Sequence, residues 1–315
     1  MNNIGFGKKR SLLVPSNHGI KGHIYPFHRK ILHDYAMRFC KNYYESNLVD
    51  TISNSTNPWS TPKISWEIAT NSSPSNEESK NIIYECIFLP KPRLKIYKNS
   101  YNFQTINWVK SYLKNEAKIA NKKDIVLEII QKNIDEYSQV IRDSLDLIHI
   151  TWPELYLEMT ELLREVVFFK GDWLRSCSLT ATFGAVYICP RNNWNTIDYA
   201  DILIHEAAHH YLESVTHITP IIKNPNLLVN HPIRDDARTL EKSIHASFVL
   251  SRLVMFHHIL DDTLVGPSLN YSNNLLNHYS KMLNNSLDTL RSSASFTDSG
   301  FNLYKEMLTL SQSGP

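Results

Sequence analysis

The chain of 315 residues has no C-x-x-C pair, and its cysteines, Cys40, Cys86, Cys177 and Cys189, are scattered. This spacing argues against a thiolate zinc site or a redox dithiol. Four cysteines in a chain of this size do not make a disulfide scaffold, and a reducing cytoplasm is the expected location. No stretch approaches about 18 uninterrupted apolar residues, so no membrane span is expected. Lys8, Lys9 and Arg10 are followed by no long apolar run and make a poor signal peptide. Charge of one sign is also missing: 33 Lys and Arg face 31 Asp and Glu, a net +2. That leaves no electrostatic footprint for nucleic acid or for an anionic membrane. No internal repeat is present. The chain is long for one domain and short for three, with ordinary apolar content.

An apolar stripe at helical spacing (Leu32, Ala36, Phe39, Tyr43) marks a helix from Pro26 to about Asp50. Residues 51–80 are dense in Ser, Thr, Asn and Pro and are expected to form a long loop. Ile82–Leu89 reads as a strand or a buried turn of helix. Two helices are expected over 105–148, with a break near Asn121, and another helix from Pro153. Val166–Phe169 and Ala185–Cys189 are short apolar runs that read as strands. A helix over Ile197–Val215 follows, then a proline-bearing loop, then a long helix from Asp235 or Asp236 to about Leu260. One or two helices finish the chain. The expected fold is α+β, mostly helical with a small sheet beside the Ile197–Val215 helix. The expected division is a helical region over 1–150 and a second region over 151–315, packed as one unit.

The chemistry concentrates in His205-Glu206-Ala207-Ala208-His209. In an H-E-x-x-H pentad on a helix the two histidines lie one turn apart on one face, so both imidazoles reach one metal ion. A strand before it, and Ile202, Leu203 and Leu212 around it for packing, reduce the risk of a chance match. Two histidines make a weak site, so a third ligand comes from elsewhere. The metzincin positions carry Leu212 and Val215 in place of Gly and His, which excludes that pattern. Glu241, on the next helix, is placed to serve as the glutamate ligand of a gluzincin. His245, one turn further on the same face, completes a three-histidine set as easily, and His231 is a weaker option in a loop. His210, His217, His257 and His258 read as ordinary core or surface histidines.

The segment after the pentad reads His231-Pro232-Ile233-Arg234-Asp235-Asp236-Ala237-Arg238-Thr239-Leu240, then Ile244-His245-Ala246-Ser247-Phe248. It resembles the H-E-x-x-H peptide-modification family found beside ribosomal-peptide gene clusters. There a stretch like W-R-x-D-x-R-P-L precedes a helix carrying a histidine. Arg234, Asp236, Arg238, Leu240, His245 and Phe248 fall in matching places, while Ala237 and Thr239 replace family prolines. Upstream, Ser176-Cys177-Ser178 and Phe183–Ile188 also look like the family. The resemblance covers about residues 170–260.

That resemblance implies iron(II), 2-oxoglutarate-dependent hydroxylation of a side-chain β-carbon in a ribosomally made precursor peptide. Its metal ligands would be His205, His209 and His245. A three-ligand facial set suits iron(II) and leaves positions open for 2-oxoglutarate and O₂. The carboxylate of 2-oxoglutarate calls for an arginine fork. Arg238 and Arg252 each lie seven residues from His245, two turns away on one helix face. Arg238 is preferred, with Arg252 and Arg234 as further candidates. Asp236 either orients an arginine or, more simply, caps the helix.

A zinc metallopeptidase is the rival reading. In it Glu206 is the general base, whereas in an oxygenase Glu206 orients neighbouring groups. His245 with Arg238 favours the oxygenase, and Glu241 as a ligand would favour the peptidase. A third reading, a peptide-binding protein with a degenerate site, conflicts with the intact pentad. The helical N-terminal half is a candidate leader-peptide-binding region by position alone.

Overall fold

The computed structural model describes residues 11–40, 47–72, 74, 76–91, 94–96, 103–119, 128–130, 134–171, 174–230 and 236–312. Among these, the first elements are α1 (Asn17–Gly19), α2 (Tyr25–Phe39), α3 (Asn47–Asn54), α4 (Pro62–Thr70), α5 (Asn76–Phe88), β1 (Lys95–Ile96), α6 (Phe103–Ile119) and β2 (Glu128–Ile129). Then come α7 (Ile134–Thr151), α8 (Pro153–Leu162), β3 (Glu165–Lys170), β4 (Ser176–Cys177), β5 (Ala185–Ile188) and α9 (Thr196–Ile218). The last are β6 (Leu228–Asn230), β7 (Ala237–Thr239), α10 (Leu240–Asp261), α11 (Gly266–Ser293) and α12 (Asp298–Gln312). The fold is α+β and predominantly helical, with a small mixed sheet.

The chain forms two compact units. One comprises Ile24–Ser144 and Thr160–Ile202, and holds the sheet. The other comprises Met1–His23, Leu145–Met159 and Leu203–Pro315, and holds the histidine pentad. This differs from the expected division at 150/151. Three of the four boundaries fall inside α7, α8 and α9, where no shift in composition marks them.

In the sheet unit, β1, β3 and β5 run parallel in that order, with Val166 opposite Val186 and Phe168 opposite Ile188. Strand β4 adds antiparallel to β5, and β2 pairs antiparallel with the Phe169–Lys170 end of β3. The two central strands are buried on both faces. This explains why they read as unbroken apolar runs rather than alternating ones. Val167, Phe169, Ala185 and Tyr187 form a core with Ile106, Val109 and Leu113 of α6. Strand β5 is entered through Gly184 at φ +92°, where a Cβ would meet the Leu162 carbonyl at 3.1 Å. The same glycine's carbonyl accepts from the Arg164 N–H at 2.8 Å.

The loop expected over 51–80 is instead largely helical. Thr61 caps α4 by accepting from the Ile64 N–H at 3.2 Å, Pro62 occupies its first turn, and Asn71 ends it in the left-handed conformation. Polar composition hid a helix whose cap and stop signals were all present. Ile82–Leu89 resolves as the helix α5 rather than a strand. The breaks and strands expected around Pro153, Val166 and Ala185 are found where the sequence placed them.

In the pentad unit, α10 is the central helix and packs on α11 and α12. It buries Ile244, Phe248, Leu253 and Phe256, while α11 buries Leu276, Leu283 and Leu287, and α12 buries Leu303 and Met307. By length and composition α10 could cross a membrane, but 72% of its apolar window is buried within the fold. That is the pattern of a core helix. Helix α10 starts at Leu240, not at Asp235 or Asp236. The residues just before it form β7, paired antiparallel with β6 so that Val229 opposes Arg238. Of the two acidic residues that looked like a helix start, Asp236 lies in a bend just before β7, and Asp235 lies outside the described residues. No disulfide joins any of the four cysteines.

Candidate metal centre

Helix α9 carries the pentad and is closed at its start by a reciprocal cap. The Asn195 side-chain oxygen accepts from the N–H groups of Ile197 (2.8 Å) and Asp198 (3.3 Å), and the Asp198 carboxylate accepts from the Asn195 N–H at 2.8 Å. This satisfies N–H groups that would otherwise be orphaned at the helix end. Ala207 and Ala208 are buried within the pentad, so α9 sinks into the fold and only a partly exposed edge carries the two histidines.

On that edge His205 and His209 converge, Nε2 to Nε2, at 3.2 Å. Metal–nitrogen bonds of about 2.0–2.1 Å place two ligands of one ion roughly 3.0–3.4 Å apart, so the pair has ligand spacing. Two neutral imidazoles presenting lone pairs at this distance repel each other, and a shared proton or a cation relieves that. Glu206 is almost fully buried beside them. A donor atom from each of His205, Glu206 and His209 lies within 4.8 Å of the others.

His245 reaches the same place from α10. Its ring stacks on that of His209, with centroids 5.9 Å apart and planes 17° from parallel. His245 thus lies beside the pair, with its ring against that of His209. Among the described residues, however, the tightest donor group takes Glu206 as its third member, and His245 stands beside it. Burial pushes His209 from 6.5 down to about 4, with His205 and His210 adding to the fall and Glu206 opposing it. Burial, helped by His209, pushes His245 down to about 3. Both rings are thus neutral near pH 7, the state in which imidazole binds a metal.

Glu241, the alternative ligand, is exposed in the first turn of α10. His231 and Arg234 lie outside the described residues. Arg238 sits in β7, so the argument that two helical turns align it with His245 does not hold. Its Nε donates to the Asp236 carboxylate at 2.7 Å, and both side chains are partly exposed. Asp236 therefore pairs with the arginine, and Thr239 occupies the N-cap position instead.

Arg252 does share the His245 face of α10, but it is committed elsewhere. Its two terminal nitrogens donate to Glu158 of α8 at 2.9 and 3.4 Å, with both side chains fully buried. Its guanidinium lies 5.0 Å from the ring centre of Tyr211 and 4.9 Å from that of Phe248. A carboxylate ligand cannot displace Glu158 without stranding a buried charge. Arg252 is therefore no free anchor for 2-oxoglutarate.

Glu158 and Tyr211 carried no sequence signal for this role. The ion pair spans 94 residues, and only the spacing of Phe248 and Arg252 behind His245 hinted at a shared face. Among the other histidines, His257 bonds Ser272 at 2.7 Å in the core, and His217 pairs with Glu213 near the surface. No protein-family model matches the chain, and a search of curated proteins finds no match to it.

Proposed function

We propose that this chain is a metal-dependent peptide-modifying enzyme of the cytoplasm, using iron(II) and 2-oxoglutarate to hydroxylate a side-chain β-carbon in a ribosomally made precursor peptide. The observation that carries the reading is His245 stacked on His209 while Glu241 is exposed. The ligand set so favoured is three nitrogens, His205, His209 and His245, rather than two nitrogens and a carboxylate. Such a set holds iron(II) and leaves coordination positions open. When bound, iron(II) would activate O₂, which is the oxidant for the C–H bond, while 2-oxoglutarate would supply the other two electrons by decarboxylating to succinate.

The chain's own residues then hold, orient and exclude. His209 and His245 stay neutral, and all three histidines are carried on α9 and α10. Arg238 is the candidate anchor for 2-oxoglutarate, because a partly exposed pair such as Arg238–Asp236 is worth only about 0–1 kcal/mol and exchanges readily. Glu206 orients groups at the centre as a hydrogen-bond acceptor.

A zinc peptidase is the second reading. The burial of Glu206 within 4.8 Å of both histidine donors favours it. There Glu206 takes a proton from the attacking water.

One experiment separates the two. The chain is loaded anaerobically with iron(II), then given 2-oxoglutarate, O₂ and a candidate ribosomal precursor peptide. A peptide heavier by ~16 Da, with succinate released, is the expected result. Peptide cleavage that proceeds with zinc and without 2-oxoglutarate overturns it. Glu206→Gln abolishes a peptidase but leaves partial hydroxylation.

A further inference from the structure

The faces of α9 and α10 that meet at the metal centre carry two ring stacks. His209 lies against His245, and next to them Tyr211 lies against Phe248 with centroids 5.8 Å apart and planes 11° from parallel. His245, Phe248 and Arg252 are spaced by three and four residues, so they share one face of α10. Arg252 closes that face by covering both rings of the second stack and pairing with Glu158 of α8. An adjoining face of α10 carries Ser243, Ser247 and Ser251, and Ser247 meets Ser286 of α11 at 2.6 Å.

Two charges taken fully out of water offer little net stability over apolar residues of the same volume. In some proteins such groups serve to specify one geometry. The Tyr211 end of the stack is equally constrained, since its hydroxyl packs against Gly19, where a Cβ would sit only 2.8 Å away.

We propose that the Arg252–Glu158 pair is a positioning device for the metal centre: it clamps the Tyr211–Phe248 stack and so holds His245 in place against His209. The inference rests on the metal-centre reading but not on which metal binds or which reaction follows. Arg252 and Glu158 are positioning residues that act through His245.

The test uses cobalt(II) as a spectroscopic probe on the full chain. Replacing both charges together, Arg252→Met with Glu158→Met, removes the ion pair without stranding either partner. The expected double variant is folded and melts at or above the wild-type temperature. It binds cobalt(II) about 10–100-fold more weakly and shows an altered visible absorption band. Arg252→Lys, which keeps the charge but loses the planar fork, falls between the two. A folded double variant with wild-type cobalt affinity and spectrum overturns the proposal. So does a double variant that fails to fold, because the pair is then a folding element rather than a positioning one. Wild-type protein that takes up no cobalt overturns the metal centre itself, a separate outcome read before any variant is made.

Discussion

Among the described residues, each unit buries one arginine almost completely, and the two are used differently. Arg164, in the sheet unit, gives its guanidinium to the end of a helix, donating to the carbonyls of Thr160 (2.8 Å), Leu163 (2.9 Å) and Glu161 (2.6 Å). All three acceptors lie within four residues, and burial draws this arginine down to about 10. Arg252, in the pentad unit, gives its guanidinium to a carboxylate 94 residues away and to two aromatic faces. The first satisfies local backbone groups that any helix end leaves open. The second ties together three helices that sequence keeps apart, next to the histidines. Burial of an arginine is therefore not one phenomenon. What it contacts decides whether it completes an element or fixes the relation between elements.

The contrast can be broken by substitution. Arg252→Met alone is expected to have the largest effect, about 3–5 kcal/mol of lost stability, because Glu158 is left buried without its partner. Restoring the balance with Glu158→Met recovers that loss in full or exceeds it, and urea denaturation of the single and double variants measures it. Arg164→Met strands neutral carbonyls only and costs less, about 1–3 kcal/mol. No second substitution offsets that loss, since its partners are backbone. If both single variants lost equal stability and Glu158→Met rescued neither, the distinction would fail.

A pH series sharpens the comparison on the histidine side. His209 and His245 have folded values near 4 and 3, below the unfolded value of 6.5. Between those values the unfolded chain binds more protons than the folded one. Their contribution is fully present above pH 6.5 and is lost as pH falls through 4 toward 3. The wild-type minus His245→Gln difference in urea midpoint, taken without metal, should shrink over that range. Arg238→Ala is expected to have the smallest effect on stability, under about 1 kcal/mol. It should raise the 2-oxoglutarate concentration needed for half-maximal turnover while leaving metal content unchanged.

Much of this was legible in the residues. The apolar runs Val166–Phe169 and Ala185–Cys189 are central strands because both faces are covered. The pentad helix announced itself by the histidines and by the apolar residues around them. The readings that failed did so for identifiable reasons. The 51–80 segment looked like a loop because its helices are short and polar, although Thr61, Pro62 and Asn71 marked one of them. The start of α10 was placed too early because acidic residues suit a helix start. Here they precede a strand whose partner, β6, is set by tertiary pairing. Arg252 looked like a ligand anchor because its spacing from His245 was right, while Glu158, which occupies it, lies on α8 and leaves no trace in local sequence.

The central claim is a metal centre in which His245 joins the two histidines of the pentad. Anaerobic iron(II) titration of the wild-type chain beside His245→Ala tests it most directly. One equivalent bound by the wild type, and affinity reduced at least about 100-fold in a folded His245→Ala variant, is the predicted result. Equal stoichiometry and affinity in the two proteins would contradict it and leave Glu206 as the third group at the site.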